Sequence, residues 1–220
     1  MSLAAAASVA AAAPGSARNV PARNGIAAGA DLAALARRPE LIAMDMRRFK
    51  DPASGETRIE GGAEVHGVFD APIGQLVAAM DDRVGQLAFS PRLLSSKEEL
   101  REGPRVVFLQ DIGIDFLGAR VAYAVRSEAY REELPGGAVA FRTILLDSLD
   151  GKLFASTSSW YFEPVTVEGR RLVYIRYHAM QGIRKPGFGM ESLIKAFTPS
   201  EMKGLMAALA REANKRSGAK

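Results

Sequence analysis

The sequence predicts one α+β domain in which a curved antiparallel sheet wraps a long C-terminal helix. The first observation is a run of extended segments, 93–96, 105–117, 120–130, 138–147, 152–162 and 171–180, with no helical interruption. Its breaks are short and rich in Gly and Pro, such as Gly103-Pro104, Pro135-Gly136-Gly137 and Asp150-Gly151. Hairpins need only a few connecting residues whereas parallel neighbours need long crossovers, so these strands pair antiparallel. The second is an amphipathic helix over 198–216, with Met202, Leu205, Met206, Leu209 and Ala213 recurring at helical spacing. The third is size: 220 residues, 48% hydrophobic, are enough to bury a full core.

In chain order, residues 1–30 are alanine-rich and low in complexity. Two readings stay open there: a disordered tail, or the remnant of a secretory signal whose apolar part is 3–14, although no Lys or Arg precedes that run. On either reading the segment is expected to lie outside the fold, and location stays open between cytoplasm and export. Residues 31–62 are expected as an N-terminal extension packing on the domain, which occupies 63–220. Asp31 can cap a short helix over 31–38 that stops before Pro39. Extended segments follow at 41–49 and 57–69, joined by a turn-rich stretch at 51–55. In the second, Val65, Gly67 and Phe69 share one face and Glu64, His66 and Val68 the other, His66 reading as a structural or surface residue.

Asp70 is available as a cap for a helix that has Pro72 near its start and Ile73, Leu76, Val77 and Met80 on its apolar side. Asp81-Asp82-Arg83 marks a break, leaving one helix or two open. Neighbouring helical residues point about 100° apart, so the paired aspartates read as a solvated helix end rather than a catalytic pair. Along the strands, Val106, Phe108, Gln110 and Ile112 alternate with Val107, Leu109 and Asp111, and Tyr123, Val125 and Ser127 oppose Ala122, Ala124 and Arg126. In 171–180 both faces are partly apolar, so Leu172, Tyr174, Arg176 and His178 cannot be sorted from Val173, Ile175, Tyr177 and Ala179. Thr198, Pro199 and Glu201 look like the start of the final helix, a cap, a first-turn proline and a capping-box carboxylate. The preceding 181–197 carries Gly182, Pro186, Gly187 and Gly189 among Phe188, Met190 and Leu193, a segment suited to a lid, with Arg184 and Lys185 placed to meet a headgroup.

Composition narrows the chemistry. There is no cysteine, which excludes disulfides and thiolate chemistry, and two histidines leave little material for a zinc site. No metal and no cofactor are expected. The formal charge of +4, from 29 basic and 25 acidic residues, is modest and spread along the chain. With no aromatic and basic stripe, nucleic acid is not an expected partner. No stretch of about 20 apolar residues is present to span a bilayer. Neither a nucleophile elbow nor a phosphate loop occurs.

The order of elements, with Val68-Phe69-Asp70-Ala71-Pro72 leading into a helix, Phe89-Ser90-Pro91-Arg92-Leu93 after it, Ser159-Trp160-Tyr161-Phe162-Glu163-Pro164 on a strand and Arg171-Leu172-Val173-Tyr174 on the next, resembles the START-like superfamily. That superfamily has the helix-grip fold and includes lipid-transfer START domains, Bet v 1-like proteins and polyketide cyclases. The resemblance covers roughly 64–216 and implies an elongated apolar cavity between sheet and final helix. It implies Tyr123, Phe141, Trp160, Tyr174, Arg176, Phe188, Met202, Leu205, Met206 and Leu209 as ligand-binding residues, with no catalytic residue assigned. The expected function is binding or transport of a lipid or other hydrophobic small molecule, with transient membrane contact, by a monomer or weak dimer. The alternative is a cyclase or aromatase using the same cavity, with Tyr123, Arg142, Tyr174, Arg176 and His178 as its polar groups.

Overall fold

The computed structural model describes residues 17–116, 119–187 and 190–218. After a short helix α1 (Leu32–Arg37), strands β1 (Glu40–Lys50) and β2 (Thr57–Phe69) form a hairpin. Helix α2 (Ile73–Asp81) and a turn of 3-10 helix (Gly85–Ala88) follow. Then come β3 (Leu93–Glu102), β4 (Arg105–Phe116), β5 (Ala119–Glu133), β6 (Val139–Ser148), β7 (Leu153–Val167) and β8 (Arg170–Arg184), and the chain closes with α3 (Met190–Arg216). All strands lie in one antiparallel eight-stranded sheet, ordered β1-β2-β8-β7-β6-β5-β4-β3. Register shifts at Leu41/Ala43, Leu93/Ser95, Glu98/Leu100, Arg126/Ser127 and Leu153/Ala155 each place an extra residue in a strand. Such bulges bend strands and raise their twist, and the sheet curves around α3.

Pattern decides the two faces. Val65, Phe141, Trp160, Phe162, Val173 and Ile175 point inward and pack with Leu76, Met80, Met206 and Leu209 of the helices. The strand left unsorted by sequence thus turns Val173, Ile175, Tyr177 and Ala179 to the inside. Its other residues, Leu172 and Tyr174, face outward into a second cluster with Val68, Ala140 and Tyr161. Gly182 of β8 leaves room for its neighbour: a Cβ there would come within 2.5 Å of the Phe154 ring.

Three local expectations change. Pro72, not Asp70, occupies the N-cap position of α2 and makes no side-chain cap bond; Asp70 pairs with Arg170 instead. The final helix begins at Met190 rather than at Thr198, and Pro199 lies inside it. Glu201 forms an ion pair with Arg92 in place of a capping box. Third, residues 17–30, expected outside the fold, run across the outer face of the sheet, where Ala17 and Val20 are buried. The hairpin 40–69, whose first part was read as an extension, hydrogen-bonds into the main sheet through β2 and β8.

The outer-face strap is held by polar contacts. The Ala17 amide donates to Glu128 Oε1 at 3.0 Å, Arg142 donates to the Arg18 carbonyl at 2.7 Å, and the Ala27 amide donates to the Tyr174 hydroxyl at 3.3 Å. Asp31 caps α1 as expected, its carboxylate accepting from the Ala34 amide at 2.9 Å. Leu35 then drops into the outer cluster beside Val68 and Tyr174.

Candidate functional site

Helix α3 carries two stripes. Met206, Leu209, Ala210 and Ala213, in its C-terminal half, are buried against α2 and the sheet. Thr198, Glu201, Leu205 and Ala208 recur every three or four residues on a neighbouring stripe, and these line an open space. The space is a cavity of about 760 Å³ between the inner face of the sheet and residues 198–211 of α3. Its floor comes from alternate residues of the strands: Ile59, Gly61 and Ala63 on β2, Phe108, Gln110 and Ile112 on β4, and Tyr123, Val125 and Ser127 on β5. Glycines 61 and 62 keep the β2 wall low; a side chain at Gly61 would strike the Asp45 carbonyl at 2.8 Å.

The wall is mainly apolar, with a few polar groups set into it. Trp160 and Tyr177 stack with ring centroids 3.8 Å apart and planes 14° from parallel. Burial pushes the Tyr177 hydroxyl up to about 12, and burial also raises that of Tyr123. Gln86 is held by the Met80 carbonyl at 2.8 Å, and Gln110 reaches Ser96 at 3.3 Å. Arg83 enters the wall from the segment after α2, with its guanidinium 4.9 Å from the Phe108 ring centre and 5.8 Å from that of Phe141. Burial lowers its pKa to about 10, against the pull of Asp81, so it is charged at neutral pH.

Of the residues expected to bind ligand, Tyr123, Trp160, Met202 and Leu205 line this cavity. Phe141, Met206 and Leu209 lie in the packed core beside it: Phe141 on β6 packs against Phe162, and α3 presents Met206 and Leu209 on its other stripe. Tyr174 and Arg176 are on the outer face, set there by the alternation of β8. Phe188 lies outside the described residues. Tyr177 and Arg83 were missed by sequence. For Tyr177 the only signal was the unresolved alternation of β8. Arg83 follows two aspartates and looks like part of a solvated turn, yet it is 5% exposed.

Tyr174 and Arg176 belong instead to a buried polar network under the strap. His66 Nε2 lies 2.7 Å from Glu64 Oε1, and His66 Nδ1 lies 3.0 Å from the Tyr174 hydroxyl. Arg176 donates to the same Glu64 oxygen through Nε at 2.9 Å and Nη2 at 2.8 Å, and Arg23 of the strap sits 3.2 Å from the other oxygen. With Nε2–H donated to the carboxylate, the neutral ring accepts a hydrogen bond from the Tyr174 hydroxyl at Nδ1. Burial lowers the His66 pKa despite Glu64. Burial works to raise that of Glu64, but the His66 hydrogen bond and the Arg176 and Arg23 charges outweigh it. No group of three or more potential metal ligands converges among the described residues.

No family profile matches this chain, and no curated protein does. Solved structures do. The STAR-related lipid transfer protein of Xanthomonas axonopodis superposes with a TM-score of 0.58 at 13% identity, covering 80% of this chain and 98% of that one. Human StAR-related lipid transfer protein 5 gives 0.54 at 8% identity over 82% and 90%. The Zhui aromatase/cyclase of a Streptomyces species gives 0.52 at 14% identity over 72% and 96%. At such identities the likeness is one of fold: the chain has the helix-grip fold of the START-like superfamily.

Proposed function

We propose that this protein binds a hydrophobic small molecule or lipid in the space between its sheet and residues 198–211 of α3, holding it without chemistry. The observation that carries the reading is the helix standing off the sheet over a cavity of about 760 Å³. That volume is in the range of pockets that enclose small ligands, about 300–1,000 Å³. Its wall is mostly apolar with isolated polar groups, which suits an occupant recognised chiefly by shape and burial. Met44, Met46, Met80 and Met202 in that wall add adaptable surface. Transfer between membranes is part of the proposal, and so is a monomeric or weakly dimeric state. Two fold neighbours carrying lipid-transfer names support it.

Native mass spectrometry and organic extraction test the reading. Protein purified from cells, or incubated with vesicles, is expected to carry one apolar molecule per chain; an interior that retains and takes up nothing refutes it. A second reading, an aromatase or cyclase, draws on the Tyr123 and Tyr177 hydroxyls in the wall and on the fold shared with an aromatase/cyclase. The carrier reading is preferred because His66 and His178, the residues with an ordinary pKa nearest neutrality, sit on strand positions that face away from the cavity.

A further inference from the structure

Arg83 is a buried cation whose donors have no acceptor. It is 5% exposed, and among the described residues its guanidinium makes no hydrogen bond and no ion pair, its Nε being fully enclosed and unpartnered. Phe108 and Phe141 lie near it, but an aromatic face does not satisfy N–H donors that radiate in the guanidinium plane. The carboxylates nearby are already engaged. Asp81 takes Arg101 at 3.0 Å and Arg131 at 3.7 Å, and Glu98 takes Arg101 at 2.7 Å. The other cations of the wall differ in kind: Arg92 is paired with Glu201, and Arg211 is exposed. Burying a charge without a partner is costly, and native proteins otherwise avoid it. Arg83 lines the ligand-sized space between sheet and helix. Beside it, Ser127, the cross-strand partner of Phe108, adds a hydroxyl to the same wall.

We propose that Arg83 is the anchor for an oxyanion, so that the cavity's occupant is an apolar molecule with a carboxylate or phosphate head. This rests on the cavity reading and narrows it. The apolar tail lies along the Tyr123, Trp160 and Leu205 walls, and the head meets the Arg83 fork near Ser127. A planar guanidinium accepts a carboxylate or a phosphate through two parallel hydrogen bonds, which an uncharged hydroxyl cannot reproduce.

The test is calorimetric titration of the full chain at pH 8 with palmitate, hexadecyl phosphate and hexadecanol, which share a tail and differ in head. One anion or both are expected to bind at least about tenfold tighter than the alcohol, since hydrogen bonds to charged groups are worth that much. Which anion leads identifies the head. In Arg83→Met, an apolar side chain of similar length, that preference is expected to vanish. Arg83→Lys keeps the charge but loses the fork, and is expected to retain part of the preference. Hexadecanol binding wild type as tightly as both anions overturns the Arg83 proposal and leaves the cavity reading standing. Preference surviving in Arg83→Met overturns it as well. Binding of none of the three overturns both. The wild-type comparison needs no variant, so it stands even if Arg83→Met fails to fold.

Discussion

Trp160 is the only tryptophan of the chain, and it lies in the cavity wall face to face with Tyr177. An apolar occupant would replace water beside it, so intrinsic emission is expected to shift to the blue and saturate at one equivalent; emission unchanged under saturating ligand would place binding elsewhere. Under the strap, Glu64 gathers His66, Arg176 and Arg23. Removing one member of a buried ionic cluster strands the others, so Glu64→Ala is expected to lose about 3–5 kcal/mol of unfolding free energy in urea. The same residues set the pH response. Burial lowers the pKa of His66 and of His178 below the ordinary 6.5, so the unfolded chain binds protons first as pH falls. Stability is therefore full above about pH 6.5 and declines below it. The depressed Glu64 carboxyl adds a further loss as pH falls through its folded value. Melting curves between pH 8 and pH 5 should fall less steeply for His66→Gln; an unaltered slope would remove His66 from the account.

At the level of elements, α3 is where sequence reading stopped short. Its apolar residues looked like one stripe, and Met202, Leu205, Met206 and Leu209 were grouped on it. A helix advances about 100° per residue, so Leu205 and Met206 belong to adjacent faces, one over the cavity and one in the core. Only the partner surfaces separate them, and periodicity does not contain those. Tyr174 was misplaced for a related reason. Both faces of β8 are covered, the inner by helices and the outer by the strap, so both are apolar and alternation loses its contrast. Where one face is polar, as in β5, the side bearing Tyr123 and Val125 was legible at once. Gly204 gives the helix a direct test. A side chain built there meets nothing within 4 Å. Gly204→Ala is expected to raise stability by about 0.5–1 kcal/mol, the helix propensity gain, without blocking the cavity. Thermal denaturation showing a loss instead would mean the position is closed.

For the whole molecule, the sheet and closing helix were legible because the turn signals fall at hairpin spacing and the resemblance runs through most of the chain. The strap was not. Residues 17–30 carry no periodicity, and besides the Arg18 and Arg23 side chains their hold on the sheet comes from backbone amides and carbonyls meeting Glu128, Arg142 and Tyr174 from distant strands. Such contacts depend on main-chain groups that every sequence has, so composition does not betray them. Arg83 was hidden for the opposite reason: its type suggests solvent, and only the closed fold shows it enclosed. The strap and the inner core hold the sheet from both sides, and residues 198–211 of α3 bound the cavity left beneath the helix. Ligand binding depends on that open space. The decisive measurement is titration of hexadecanol into wild type and into Ala208→Trp, whose indole replaces a small side chain at a half-buried lining position of the helix. Wild type is expected to bind one equivalent saturably, and the variant to lose at least about tenfold in affinity. Equal affinity in both would contradict it.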